Sequence, residues 1–548
     1  AMFQEELDRE FVEYLRNPVP LIAPPERIKK PGAKPVRMPE AEAIPTPHIQ
    51  PAPLQQMYHR PMSNAVVLRT NECINCGICV KLCPFGVHVR PEGYKRVLTP
   101  LSDLCIGEAC KEKDFYCINK CPVDALGMEQ SPHKDTLGDM RWTSDLILAT
   151  WHMAETATAP EQFEYKTGKS GGGFDRLQFV FESAQEKPKA PPAPPTSESV
   201  RRLATEISTA LELNRRDEGP QIIIPIPIYG GGMSFGSVGI TTMLSRAKAA
   251  KEWGTFFSTG EGGYPDEIKV YDDHVITQVA TGLFGVKEDT IQRVRIIELK
   301  YAQGAKPGLG GHLLADKNTA VVAAQREAVP GTSLFSPFPF HSVYSVEDPK
   351  KPVAWILATN PDALISVKVS TPTDVDMVAI GSYYAGAHIL QLDGGYGGTG
   401  AAPEIAKKNI AMPIEYAIPK VHRYLMAEGV RDKIVIMASG GIRTAYDIAK
   451  AIALGADGVV VGTSELVAIG CVRCGNCESG RGCPKGITTT DAGLYPLIQE
   501  DWGGQRIINL YAAWHQQLCE ILKNLGMKDI RELVGRTDAL GYIPPSWN

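Results

Sequence analysis

Twelve of the 13 cysteines stand in three tight groups, and no other feature restricts the available folds so strongly. Cys73, Cys76, Cys79 and Cys83 form the first, Cys105, Cys110, Cys117 and Cys121 the second, and Cys471, Cys474, Cys477 and Cys483 the third. Groups of four thiols in a chain of 548 residues point to metal ligation, because disulfide frameworks belong to small domains that lack a sufficient core. Such a fold has to present two thiol cages near its start and a third about 350 positions later. Cys519, alone in YAAWHQQLCEIL, reads as a small buried apolar residue of a helix.

In the first group two residues separate each of the first three cysteines, and Cys83 follows after three more, directly before Pro84. This is the ferredoxin-like spacing, in which one loop grips a 4Fe-4S cubane with three thiolates and the fourth thiolate reaches the neighbouring cluster. The second group keeps the ending, Cys117 then Cys121-Pro122, but widens the earlier gaps to four and six residues. By the crossed rule Cys121 completes the first cluster and Cys83 the second. The third group, with gaps of two, two and five before Pro484, reads as a further 4Fe-4S cluster. Zinc held by four thiolates is the alternative at each site.

The 57 basic and 62 acidic residues give a net charge of −5, without the cationic block that nucleic acid or an anionic membrane requires. No apolar run approaches the ~18 to 20 residues of a membrane helix, and the opening AMFQEELDREFVEYLRN is charged, unlike a signal peptide. The expectation is a cytoplasmic protein. Phe3 to Arg16 forms an amphipathic segment, and Pro18 to Pro61 holds 12 prolines in 44 residues, which excludes helix or central strand and reads as an extended arm. A second proline patch, Lys187 to Ser199, sets the main boundary. The expected domains are 1–64 (helix and proline arm), 65–130 (two-cluster α+β ferredoxin-like), 131–217 (linker with helices), 218–470 (barrel) and 471–548 (third cluster and helices).

From about Gln221 seven short β-type runs alternate with helical patterns: 222–229, 254–259, 296–302, 363–370, 387–393, 433–440 and 458–463. Seven strands in about 270 residues fit a (β/α)8 barrel with one strand missed, with an open doubly wound α/β sheet as the alternative. Gly395 to Gly400 matches a dinucleotide fingerprint, but the segment that follows is helical where a second strand is needed. It reads instead as a loop, including Gly397 and Gly398, that lets a ligand approach the backbone. Ser439, Gly440 and Gly441 after one strand and Gly462-Thr463 after the next form the usual phosphate cradle of a barrel's last loops.

GGMSFGS (231–237), STGEGG (258–263), ELKYAQGAKPGLGGHL (298–313), SVKVS (366–370), GGTGAAP (397–403) and the run 438–471 together resemble the FMN-binding synthase domain of glutamate synthase. With the ferredoxin-like insert, the chain looks most like the archaeal-type form. The resemblance implies reduction of 2-iminoglutarate, made from 2-oxoglutarate and ammonia, by hydride from reduced FMN. It implies that Met233, Ser234, Gly236 and Lys368 contact the flavin, while Ser439, Gly440, Gly441, Gly462 and Thr463 hold its phosphate. Glu261, Lys300 and Lys306 are the implied catalytic residues, and the two lysines suit a dicarboxylate. His312 stands where many members carry Gln, Leu309 where they carry Glu, and Tyr396 where an acidic residue is frequent. The family's large bacterial enzymes use three cysteines around a 3Fe-4S centre. Cys471, Cys477 and Cys483 match them, and the extra Cys474 favours 4Fe-4S.

The implied cofactors are therefore FMN and three 4Fe-4S clusters, with a 3Fe-4S centre as the alternative at the third. Implied partners are a glutaminase or amidotransferase subunit, a glycine-repeat subunit, and a ferredoxin or an NAD(P)H-oxidising flavoprotein. Competing readings are an FMN enzyme using another amine such as methylamine, an electron-transfer subunit of a larger redox complex, and a zinc-stabilised interaction protein.

Overall fold

A computed structural model describes residues 2–21, 47–52, 65–105, 107–130, 137–160, 173–181, 196–337, 340–345, 348–397, 402, 406, 409–478 and 482–543. Its centre is a closed barrel of eight parallel strands. In chain order these are β1 (Ile228–Gly230), β2 (Phe257–Ser258), β3 (Val275–Ala280), β4 (Ile296–Lys300), β5 (Leu364–Ser370), β6 (Ile389–Asp393), β7 (Val435–Ser439) and β8 (Gly458–Val461). Each pairs with its sequence neighbour, and β8 closes on β1 through Val459 and Ile228. The strand missing from the sequence reading is β3.

Alternation along each strand builds two faces. Ile297, Leu299, Ile365, Val367, Val369, Leu390 and Leu392 point outward into the main core beneath the helices. Inward, Ile276, Ile296, Leu364, Ile389 and Val435 form an apolar lower layer. The expected strand 222–229 is split by Pro225 and Pro227. Its first half, Ile223–Ile224, pairs antiparallel with Leu211–Glu212 and closes the barrel floor with Leu211, Leu213, Ile222 and Ile224. Asp457, just before β8, ties that floor down by taking Arg215 and Arg431 at 2.8 and 2.9 Å.

Above the apolar layer the barrel interior turns polar. Glu298, 1% exposed, accepts Gln278 Nε2 at 2.5 Å and Ser366 Oγ at 3.0 Å. One layer higher, at the C-terminal mouth, Lys300 and Lys368 are register partners on β4 and β5.

The flanking segments form a collar around the barrel. Helix Glu500–Asn524 is buried on nearly all sides, its apolar residues interspersed with buried polar ones such as Gln505, Arg506 and Asn509 that hydrogen-bond to the surrounding segments. A side chain on its Gly503 would come within 2.4 Å of Ser245 Oγ, so only glycine lets it approach helix Ile240–Glu252 this closely. Helix Ser144–Thr156 is pinned to both barrel and tail, with Trp151 Nε1 donating to the Val467 carbonyl and Asn509 Nδ2 to the Ala154 carbonyl. Leu177–Phe179 pairs with Leu540–Tyr542. The N-terminal helix Met2–Arg16 sets Phe11 against Tyr416. Of the proline arm, residues 47–52 lie on the C-terminal helix through Gln505 and Asn509, and most of the remainder falls outside the described residues.

In the ferredoxin-like region Ala65–Arg69 pairs antiparallel with Leu126–Gln130, bringing both cysteine groups around a small core of Val67, Val87, Cys117 and Leu126. Among the described residues no helix is long and apolar enough to cross a membrane.

Candidate functional site

The barrel mouth opens into a cavity whose empty space, open solvent included, is about 980 Å³. Of the residues singled out in the sequence, Met233, Lys368, Gly397, Ser439, Gly440, Gly441, Gly462 and Thr463 line it. Gly398 lies outside the described residues. Gly440 has φ +93°, and a Cβ there would stand 2.6 Å from the Gly394 carbonyl oxygen, so only glycine fits where the loops after β6 and β7 meet beside the cavity. The Ser439 hydroxyl is committed elsewhere: it donates to Asp393 Oδ1 at 2.6 Å and accepts from Gln391 Nε2 at 3.1 Å. Lys368 Nζ lies 3.7 Å from Asp393 Oδ2, and the Gly304 N–H donates to the same oxygen at 2.9 Å.

Beside this cavity stands a second cluster, centred on Glu261. Lys300 Nζ lies 3.5 Å from Glu261 Oε2, and Ser336 Oγ donates to that oxygen at 3.3 Å. Burial pulls the Glu261 carboxyl upward, but Lys300, Arg326 and Lys306 outweigh it and hold it below the usual carboxylate range. Burial pulls Lys300 below its ordinary value, with Glu261 opposing and the neighbouring Lys368 adding to the fall. Lys306 is buried, with Nζ 3.1 Å from His312 Nδ1. Ser234 accepts Arg326 Nη2 at 2.9 Å and so belongs to this cluster. Gly236 packs against Val322, and neither it nor Ser234 lines the cavity.

Several cavity and cluster residues escaped the sequence reading. Asp393 and Gln391 lie on the inward face of β6, and Arg326 reaches in from helix Ala320–Arg326. Arg141 and Trp142 arrive from a segment read as linker. An acidic residue at the C-terminal end of a barrel strand was a legible signal for Asp393.

The thiols of the first two groups lie close together in the fold. Cys73, Cys76 and Cys79 line one small cavity together with Cys121. Cys83 instead lies in electrostatic range of Cys105, Cys110 and Cys117. Burial pushes the Cys117 thiol up to about 11 and Cys471 to about 12, so these sulfurs keep their protons unless a metal displaces them. Among the described residues no three potential ligands converge tightly enough to hold a single metal ion. Cys519 is buried in the C-terminal helix, as expected.

Thiol cages that surround cavities serve one-electron transfer, and a barrel mouth rich in cations serves a small anionic substrate, so fold and site define an iron-sulfur oxidoreductase. The family described as the conserved region in glutamate synthase matches residues 191–528, and the 4Fe-4S binding domain matches 66–87. Archaeal-type glutamate synthase [NADPH] of Thermotoga maritima is 35% identical over 480 residues, covering 86% of this chain and 92% of that one. Archaeal glutamate synthase [NADPH] of Methanocaldococcus jannaschii is 42% identical over 322 residues, covering 59% and 63%. The glutamate synthase [NADPH] large chain of Azospirillum brasilense is 34% identical over 320 residues, only 21% of its length. A mandelate oxidase solved with (S)-4-hydroxymandelic acid is 14% identical at a TM-score of 0.41, covering 72% of this chain and 98% of that one. The chain belongs to the glutamate synthase family, in its archaeal-type form.

Proposed function

We propose that this chain is the catalytic subunit of a glutamate synthase, which reduces 2-iminoglutarate, formed from 2-oxoglutarate and ammonia, to L-glutamate. The observation that carries the reading is the register pairing of Lys300 with Lys368, because it sets the Glu261 cluster directly beside the glycine-lined cavity. Three cations, Lys300, Lys306 and Arg326, surround one carboxylate, a surplus of two positive charges that matches a dicarboxylate.

The cavity fits FMN. Gly440, Gly441, Gly462 and Thr463 would hold its phosphate, and Met233, Gly397 and Lys368 would flank its ring. When bound, FMN supplies the conversion from single electrons, delivered by the iron-sulfur clusters, to hydride. Lys368 places a positive charge at the ring side of the cavity, with Asp393 fixing its direction. Glu261, ionised at neutral pH, accepts a proton as ammonia adds to the keto carbon, and it can return one as water leaves. Lys306, set against His312, and Lys300 bind the substrate carboxylates.

The twelve grouped cysteines hold three 4Fe-4S clusters, and region 65–130 takes electrons from outside while 218–470 performs the chemistry. A ferredoxin or an NADPH-oxidising flavoprotein is the donor, and glutaminase and glycine-repeat subunits are the further partners. Binding of 2-oxoglutarate measured against pyruvate tests the dicarboxylate site: Lys306→Met should weaken 2-oxoglutarate binding about tenfold or more and leave pyruvate nearly unchanged. Equal weakening of both ligands would refute that assignment.

A further inference from the structure

The stretch 137–143 reaches the cavity from outside the barrel, and its placement asks for a reason. Four cations line the cavity: Arg141, Lys368, Arg443 and Arg473. Lys368 is drawn to Asp393. Arg443 is engaged on every nitrogen, by Asp175 through Nη1 and Nη2, by Asp447 through Nε, and by the Arg141 carbonyl through Nη1. Arg473 gives Nε and Nη2 to Asp139 Oδ2 at 3.0 and 2.7 Å. Arg141 stands at the glycine cradle itself. Its guanidinium lies 3.6 Å above the Tyr396 ring centroid, and a Cβ on Gly441 would sit 3.1 Å from its Nη2.

The arm carrying Arg141 is rigidly built. Gly138 has φ +93°, and any side chain there would collide with the Trp142 carbonyl. Asp139 Oδ1 accepts the backbone N–H groups of Arg141 and Trp142, both at 2.8 Å, while Oδ2 holds Arg473. Arg473 lies between Cys471 and Cys474, so one carboxylate joins the arm to the loop carrying the third thiol group.

We propose that Arg141 is the guanidinium that grips the flavin phosphate, and that residues 137–143 form a clamp fastened through Asp139 and Arg473 to the third cluster loop. A planar guanidinium stacked on Tyr396 offers its edge to a dianion in a fixed direction, the geometry that suits phosphate. The proposal rests on the FMN reading given above. Arg141 is also within electrostatic range of the buried Glu415 carboxyl, and this gives a rival role as a counter-ion only.

The test compares FMN with riboflavin, which lacks the phosphate, in titrations of the full-length chain purified anaerobically. The wild-type chain should prefer FMN. Arg141→Met should lower FMN affinity roughly ten- to a hundredfold and leave riboflavin affinity within about twofold, as expected for lost charge-assisted hydrogen bonds. Arg141→Lys, which keeps the cation and guards against a folding defect, should fall between. Asp139→Ala, a positioning change, should speed FMN release and not riboflavin release. An unchanged FMN-to-riboflavin preference in Arg141→Met overturns the clamp. So does a loss of stability alone that Glu415→Gln restores. A wild-type chain that binds neither flavin overturns the functional reading and the clamp with it, whereas FMN binding that ignores Arg141 overturns the clamp alone.

Discussion

Glu261→Gln removes the one carboxylate from among Lys300, Lys306 and Arg326. At 3.5 Å and an effective dielectric of about 20, Glu261 and Lys300 attract by about 5 kcal/mol before desolvation is counted. The variant has two ways to respond. It can keep Lys300 charged and lose about 3 to 5 kcal/mol of stability, the usual result of removing one partner of a buried pair. Or Lys300 can release its proton, which at pH 7 costs about 4.6 kcal/mol relative to the unfolded chain, where the lysine stays charged. Either route takes several kcal/mol from the folded state, so the melting temperature should drop, and on the second route the pocket also loses a cation. Followed from about pH 6 to about pH 9, affinity for 2-oxoglutarate should fall more steeply with rising pH in the variant than in the wild type, because Glu261 no longer opposes the effect of burial on Lys300. The rate should fall by about 100- to 10,000-fold and not recover in acid, since no proton acceptor remains. Titration of 2-oxoglutarate across that pH range, beside thermal unfolding, decides the matter. Superimposable affinity profiles for variant and wild type would refute the coupling between Glu261 and Lys300.

Three further outcomes follow from particular contacts. Lys368→Met should retain FMN, which the loop backbones hold, yet lower kcat roughly 100-fold or more by removing the cation at the ring side; a rate within about threefold of wild type would contradict this. Cys121→Ser should disturb the cluster held by Cys73, Cys76 and Cys79, and Cys83→Ser the one held by Cys105, Cys110 and Cys117; electron paramagnetic resonance of the two variants should lose different signals, and loss of the same signal would contradict crossed ligation. Burial raises the Glu415 carboxyl to about 7, so the folded state holds its proton where the unfolded chain has released it, and stability falls as pH rises from about 4.5 to about 7. Glu415→Gln should remove that slope and stabilise the chain by up to roughly 3 kcal/mol above pH 7, measured by denaturant unfolding; an unchanged slope would show that another group sets it.

Most of the barrel was legible in the sequence because its strands are β-branched runs that end in small residues. β3 escaped because VITQVA carries Thr277 and Gln278, and Gln278 faces inward to Glu298 in the polar layer, where a sequence reading looks for an apolar strand. The run 222–229 looked like one strand because its isoleucines are continuous, yet two prolines divide it between floor and wall. The cysteine groups were legible because ligand spacing is a local property. Arg141 could not be found that way: it meets Gly441 across 300 positions, and nothing near it in sequence distinguishes it from a linker arginine. Arg326 was hidden for the same reason. Lys300 and Lys306 were found only through the family likeness, and it is the fold that shows them buried around Glu261.

Glutamate formation from 2-oxoglutarate and a high concentration of ammonium, driven anaerobically by reduced viologen, tests the central claim most directly. The purified chain should produce glutamate without a glutaminase subunit, and methylamine in a parallel reaction should give little or no product. A chain that carries FMN and iron and yet forms no product from either amine would contradict the assignment of the Glu261 cluster as a working synthase site.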